Sequence, residues 1–135
     1  PKDIAKFTWV EDLDLSDNLI TYLKDLPENL TTLNASNNFL SHINFNDLPE
    51  PITHLKLESC GLKCVVGIHQ LKNLESLNIS DNNIKQIPYL PDSLLKLVCN
   101  DSQVGLFDIL PNNIETVMMN SNKIKKLGIL IILEP

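Results

Sequence analysis

One register of apolar residues recurs six times along this chain, and it leaves few folds open. The spacing L-x-x-L-x-L-x-x-N-x-L, whose places are numbered one to eleven below, is met first by Val10, Leu13, Leu15, Asn18 and Ile20. Leu30, Leu33, Ala35, Asn38 and Leu40 repeat it, followed by Ile52, Leu55, Leu57, Cys60 and Leu62. Leu74, Leu77, Ile79, Asn82 and Ile84 form the fourth unit, and Leu94, Leu97, Cys99, Ser102 and Val104 the fifth. The sixth is Ile114, Val117, Met119, Asn122 and Ile124, and successive starts lie 20, 22, 22, 20 and 20 residues apart. A single match would carry little weight, but six in phase argue for a stack of like units.

Elementary geometry says what such a unit does. In L-x-L the two apolar side chains fall on one face of a short strand and the residue between them on the other. So small a unit cannot bury its apolar face alone, and stacking produces a continuous core and a parallel sheet. The spacing therefore predicts one strand per unit, near residues 12–14, 32–34, 54–56, 76–78, 96–98 and 116–118. Asn18, Asn38, Asn82 and Asn122 follow the strands, where the chain must turn inward. An amide both donates and accepts, so these residues are read as a structural ladder satisfying backbone groups that water cannot reach. Between units, Pro27, Pro49, Pro51, Pro88, Pro91 and Pro111 disfavour helix, and extended or single-turn 3₁₀ segments are expected. The proline-free stretch Val66 to Asn73 is the one place where a short helix is expected.

Over residues 10 to 127 this pattern resembles the leucine-rich-repeat family. The resemblance implies a horseshoe solenoid with short parallel strands on its concave face and little helix. The stretch Ile87-Pro88-Tyr89-Leu90-Pro91-Asp92-Ser93-Leu94 is similar to the short repeats of secreted bacterial effectors. Leu71 to Ile87 instead resembles the 22-residue repeats of eukaryotic phosphatase regulators and signalling scaffolds. Residues 1–9 are read as a flank whose Phe7 and Trp9 cover the first repeat. Residues 128–135 are read as an apolar cap, a truncated further repeat or an oligomer contact, centred on Ile129 to Leu133.

Charge and cysteine content restrict the partners and the setting. The net charge is −6 and all eleven basic residues are Lys, a poor match to the basic footprint and arginines of nucleic-acid readout. Nucleic acid is not expected as a partner. No apolar run is long enough to span a bilayer, and Pro1-Lys2-Asp3-Ile4 lacks the start of a secretory signal. Cys60, Cys64 and Cys99 make an odd set without a disulfide framework. A cytoplasmic or nuclear protein is the expectation, with a secreted effector as the alternative. Sequons at Asn29, Asn34, Asn78 and Asn100 are largely by-products of the repeat and weigh little.

A search for chemistry finds no catalytic set. His42, His54 and His69 stand at different phases of the repeat and cannot line one column. Cys99 fills an inward slot and Cys60 an Asn slot, where small thiols are inert, leaving Cys64 as the more exposed one. Cys99-Asn100-Asp101 is similar to the Cys-x-Asp motif of a ligase domain attached to some effector repeats, but that motif belongs to a separate helical domain. Asp12, Asp14 and Asp17 begin like a calcium loop, yet Asp17 and Leu23 stand where an EF-hand needs Gly and Glu. No glycine-rich phosphate loop is present. Neither metal nor cofactor is expected, and the chain is read as a non-enzyme.

The strand alternation assigns the outward face. Places two, three, five, seven and eight carry Glu11, Asp12, Asp14, Asp17, Glu58, Glu75, Asp81, Asp101 and Glu115 against only Lys56 and Lys96. The acidic surplus of the whole chain therefore falls on one surface, which favours a protein partner presenting Lys or Arg. The plain alternative is a solvated face kept acidic for solubility. Val98 and Met118 share an outward column and are candidate anchors, and Leu19 and Phe39 form a possible edge site. The leading expectation is a protein–protein interaction module, a scaffold or effector domain. Its partner-binding residues would be Asp12, Asp14, Asp17, Lys56, Glu58, Asp81, Lys96, Val98 and Met118. The alternative is a structural or assembly domain that self-associates through its apolar C-terminal end.

Overall fold

The computed structural model describes residues 3–107 and 109–125. Six short strands form one parallel sheet in the order β1-β2-β3-β4-β6-β8. They are β1 (Asp12–Asp14), β2 (Thr32–Asn34), β3 (His54–Lys56), β4 (Ser76–Asn78), β6 (Lys96–Val98) and β8 (Thr116–Met118). The central leucines stand in strict register, Leu13 beside Leu33, then Leu55, Leu77, Leu97 and finally Val117. The solenoid and its strand positions are thus those the repeat spacing predicts. The spacing does not reveal the second, two-stranded parallel sheet, in which β5 (Gln86–Ile87) pairs with β7 (Leu106–Phe107).

Burial follows the template. Leu33, Leu55, Leu77 and Leu97 are closed to solvent, as are Ala35, Leu57, Ile79 and Cys99 two places on. Each gains contacts from the turn before and the turn after, which is how a unit with half a core becomes stable. The first repeat lacks that support on one side, and its Val10, Leu13, Leu15 and Ile20 are only half-buried. Phe7 and Trp9 pack edge to face with ring centroids 5.5 Å apart. Trp9 nevertheless stays 72% exposed, so the indole does not close the front of the stack as the sequence suggests. Val117 at the other end is 39% exposed, since β8 has a paired strand on one side only among the described residues. The expected tail contact of Ile129 to Leu133 lies outside the described residues.

The return segments explain the recurring Pro-x-x-Leu junction. The Leu30, Ile52, Leu94 and Ile114 amides donate to the carbonyls of Pro27, Pro49, Pro91 and Pro111, closing one tight turn before each strand. Proline suits that first place because its fixed φ costs the turn nothing and its missing N–H is not required there. Leu71 takes the same role ahead of Leu74. In the proline-free stretch the helix expected over Val66 to Asn73 shrinks to a single 3₁₀ turn, Ile68–Gln70. Gly67 precedes it at φ +91°, a left-handed conformation from which an α-helix cannot be continued backward.

Candidate functional site

The outward face of the sheet is built from two registered columns. The third places read Asp12, Thr32, His54, Ser76, Lys96 and Thr116, and the fifth places Asp14, Asn34, Lys56, Asn78, Val98 and Met118. Asp12, Asp14, Lys56, Lys96 and Met118 are exposed, and Val98 is half-buried beside Met118. His54 lies exposed near the middle of the surface, with the Thr53 hydroxyl 2.9 Å from its Nδ1. Strand alternation alone sends His54 outward, since it stands at place three beside Thr32.

Two hydrogen-bond ladders and one column of left-handed residues support this face. The first is the Asn column. Asn82 donates to the carbonyls of Leu57, Ile79 and Ser80 and accepts the amides of Cys60 and Leu62, all within 3.1 Å. Asn38 and Asn122 repeat the arrangement, each bonding into the preceding turn. Asn18, in the first repeat, bonds only to the Leu15 and Ser16 carbonyls of its own repeat among the described residues. Cys60 supplies the donating half of the role, its thiol 3.2 Å from the Ala35 carbonyl. Burial raises the thiol pKa of both Cys60 and Cys99, which holds them neutral and makes them poor nucleophiles.

The second ladder serves the amide at place seven. Asp14, Asn34 and Asn78 each accept this amide from Ser16, Ser36 and Ser80, two residues further along. Lys56, Val98 and Met118 stand at the same place and offer no such acceptor. In those repeats the preceding turn takes over. The Ser36 hydroxyl accepts the Glu58 amide, the Ser80 hydroxyl the Asn100 amide, and the Asn100 side chain the Asn120 amide. All six amides are thereby satisfied, three locally and three from a neighbour.

The third feature is conformational. Asp17, Asn37, Ser59, Asp81, Asp101 and Ser121 occupy place eight, and every one has φ between 50° and 56°. Asn and Asp tolerate this left-handed region because their short polar side chains bond locally. Asn37 donates to Asp17 and Ser59 to Asp81 along the same column. Asp17, Asp81 and Asp101 therefore have a reason for their identity that is unrelated to any partner.

These bonds divide the nine carboxylates of the face. Asp14, Asp17, Glu58 and Asp81 accept side-chain hydrogen bonds from Ser16, Asn37, Asn78 and Ser59 respectively. Ser16 holds the Asp14 carboxyl below the ordinary carboxylate range, through its hydroxyl first and its amide second. Glu11, Asp12, Glu75, Asp101 and Glu115 are exposed and have no side-chain partner among the described residues. Only Asp12 of these five stands among the sequence-nominated binding residues. Glu75 and Glu115 sit at place two, the border of the face, where strand alternation alone gives no reason to single them out.

On the flank, Leu19 and Phe39 are 82% and 62% exposed at place ten of adjacent repeats. No group of three or more His, Cys, Asp or Glu with metal-holding geometry occurs among the described residues. No helix among them is long and apolar enough to cross a membrane.

Known proteins share this architecture. The profile of the Leucine Rich Repeat family matches residues 29–50 and 73–97. Human Toll-like receptor 8 is 36% identical over 104 residues, covering 72% of this chain and 9% of the receptor. Osteomodulin from Bos taurus is 32% identical over 111 residues, covering 76% of this chain and 25% of that protein. In three dimensions, the leucine-rich-repeat domain of a Shigella effector superposes with a TM-score of 0.78 at 26% identity, covering 92% of this chain and 55% of that domain. The chain thus spans a small part of the two relatives and about half of the effector domain.

Proposed function

Since the chain belongs to the leucine-rich-repeat family, whose fold generally serves as a protein-interaction module, we propose that it binds a protein bearing Lys or Arg through its acidic concave face. The observation that carries this reading is the set of five exposed carboxylates on one surface that have no side-chain partner among the described residues. Charges that no internal bond uses keep their field for an incoming molecule, so they set encounter rate and specificity. Asp14, Asp17, Glu58 and Asp81 add to that field while also fixing the turns. Lys56 and Lys96 interrupt it and help set the register of the partner. Val98 and Met118, paired across β6 and β8, supply the apolar contact that holds a complex once formed. The free thiols of Cys60, Cys64 and Cys99 support a reducing, cytoplasmic or nuclear setting, and a signalling scaffold or effector is the role in keeping with it.

The test begins with capture of a partner and continues with binding kinetics on variants. Asp12→Lys with Glu75→Lys changes two carboxylates that have no internal role, so the fold is untouched and association should slow, most at low salt. Met118→Ala should instead speed dissociation, at a cost of about 1–2 kcal/mol. Leu19→Ala with Phe39→Ala is the flank control. Binding that survives both concave variants and is lost in the flank variant would assign recognition to the edge.

A further inference from the structure

The chain also carries a surface opposite in sign to the acidic face. Places ten and twelve of repeats three to six lie along one edge of the solenoid, joined turn to turn by backbone bonds. The Asn83 amide donates to Leu62, Gln103 to Ile84, Gly105 to Lys85 and Lys123 to Val104. A shallow cavity of about 500 Å³ opens on this edge, lined by Lys63, Asn83, Lys85 and Gln103. Lys123 and Lys125 continue the same two columns into repeat six, and no Asp or Glu stands at places ten to twelve in any repeat.

Three observations indicate a site for a ligand rather than a solvated fringe. The Lys63 and Lys85 ammonium groups make no ion pair, and the Asn83 and Gln103 amides no side-chain hydrogen bond, among the described residues. That is unlike Asn38 and Asn82 one place earlier, which use both halves of their amides. Gly105, between Lys85 and Lys125 in column twelve, is not demanded by its backbone, for its φ lies outside the left-handed range. A Cβ there would meet nothing closer than the Lys123 carbonyl at 3.8 Å, so its missing side chain leaves the column open between the lysines.

We infer that this edge binds an acidic peptide segment, with Lys63 and Lys85 on its carboxylates and Asn83 and Gln103 on its backbone. An amide can accept a peptide N–H and donate to a peptide carbonyl, which lysine cannot do. The chemistry disfavours a nucleic acid. The lining offers no aromatic ring on which bases stack and no arginine to grip phosphates in a fork.

Fluorescence anisotropy with a labelled short peptide of alternating Glu and Gly tests the assignment. Saturable binding to the intact chain is expected, weakened about tenfold or more by Lys63→Glu with Lys85→Glu. Asn83→Ala with Gln103→Ala should weaken it several-fold without changing its salt dependence. The control, Lys24→Glu with Lys72→Glu, alters net charge equally at exposed lysines away from the edge and should bind as the parent does. Absence of saturable binding overturns the proposal, and so does equal weakening by the control. Tighter binding of a single-stranded oligonucleotide of matched charge overturns it too, and assigns the edge to nucleic acid.

Discussion

The Ser80 hydroxyl accepts the Asn100 amide across adjacent turns, 3.0 Å away, because Val98 has replaced the acceptor that Asn78 provides in the repeat before. Ser80→Ala should therefore cost about 1 kcal/mol, the net worth of a hydrogen bond to this part-buried amide. Adding Val98→Asn should restore most of the loss by recreating the local bond. Chemical denaturation of the two single variants and the double variant measures this. If Val98→Asn does no better beside Ser80→Ala than alone, the two residues do not share one amide.

Asn82→Ala should destabilise by at least as much, about 1–3 kcal/mol, since three carbonyls and two amides lose their partner. Asn82→Asp should be no milder, because a carboxylate would face the Leu57, Ile79 and Ser80 carbonyls. A parent-like thermal transition for either variant would remove the central rung from the ladder.

The left-handed column separates conformation from charge. Asp101→Val should cost about 1–2 kcal/mol, as a β-branched side chain is strained at φ 50°. Asp101→Gly removes the same charge with no strain and should leave stability within about 0.5 kcal/mol of the parent. Equal melting temperatures for the two would mean that the turn does not constrain its residue.

The Asp14 turn should respond to acid. Its carboxyl titrates below the ordinary value because Ser16 bonds to the charged form. With the folded pKa depressed, the stabilisation is complete above the unfolded pKa of about 3.9 and is lost as pH falls through the folded one. Nuclear magnetic resonance should find the Asp14 carboxyl and the Ser16 amide titrating together with a midpoint below about 3.9. Ser16→Ala should raise that midpoint. A midpoint at or above the ordinary value in the parent would show that Ser16 does not hold the charge.

What the sequence revealed and what it hid have a common cause. The strands were legible because Leu13, Leu33, Leu55, Leu77 and Leu97 obey a period of two inside a period of about twenty. Cys60 in an Asn slot was legible for the same reason, as the template fixes its surroundings. The relay through Ser36, Ser80 and Asn100 was not, because it depends on which acceptor is missing one turn away. The left-handed turns of Asp17, Asp81 and Asp101 were not legible either, because the template fixes a place and not its φ. Lys63 and Lys85 stand at place twelve, one beyond the template, so a reading confined to it sees the apolar edge residues Leu19 and Phe39 and not these lysines. β5 and β7 are two residues each, too short for any alternation to register.

The shared place-seven amide also orders how such an array can grow. Repeats one, two and four carry their own acceptor and can be copied beside any neighbour. Repeats three, five and six depend on a short polar side chain in the unit upstream. A tandem duplication of repeat three would set its place-seven amide behind Glu58 rather than behind Ser36, exchanging the short hydroxyl acceptor of the parental order for a longer, charged side chain. Recombination within the array is thus directional, because the units are not interchangeable parts.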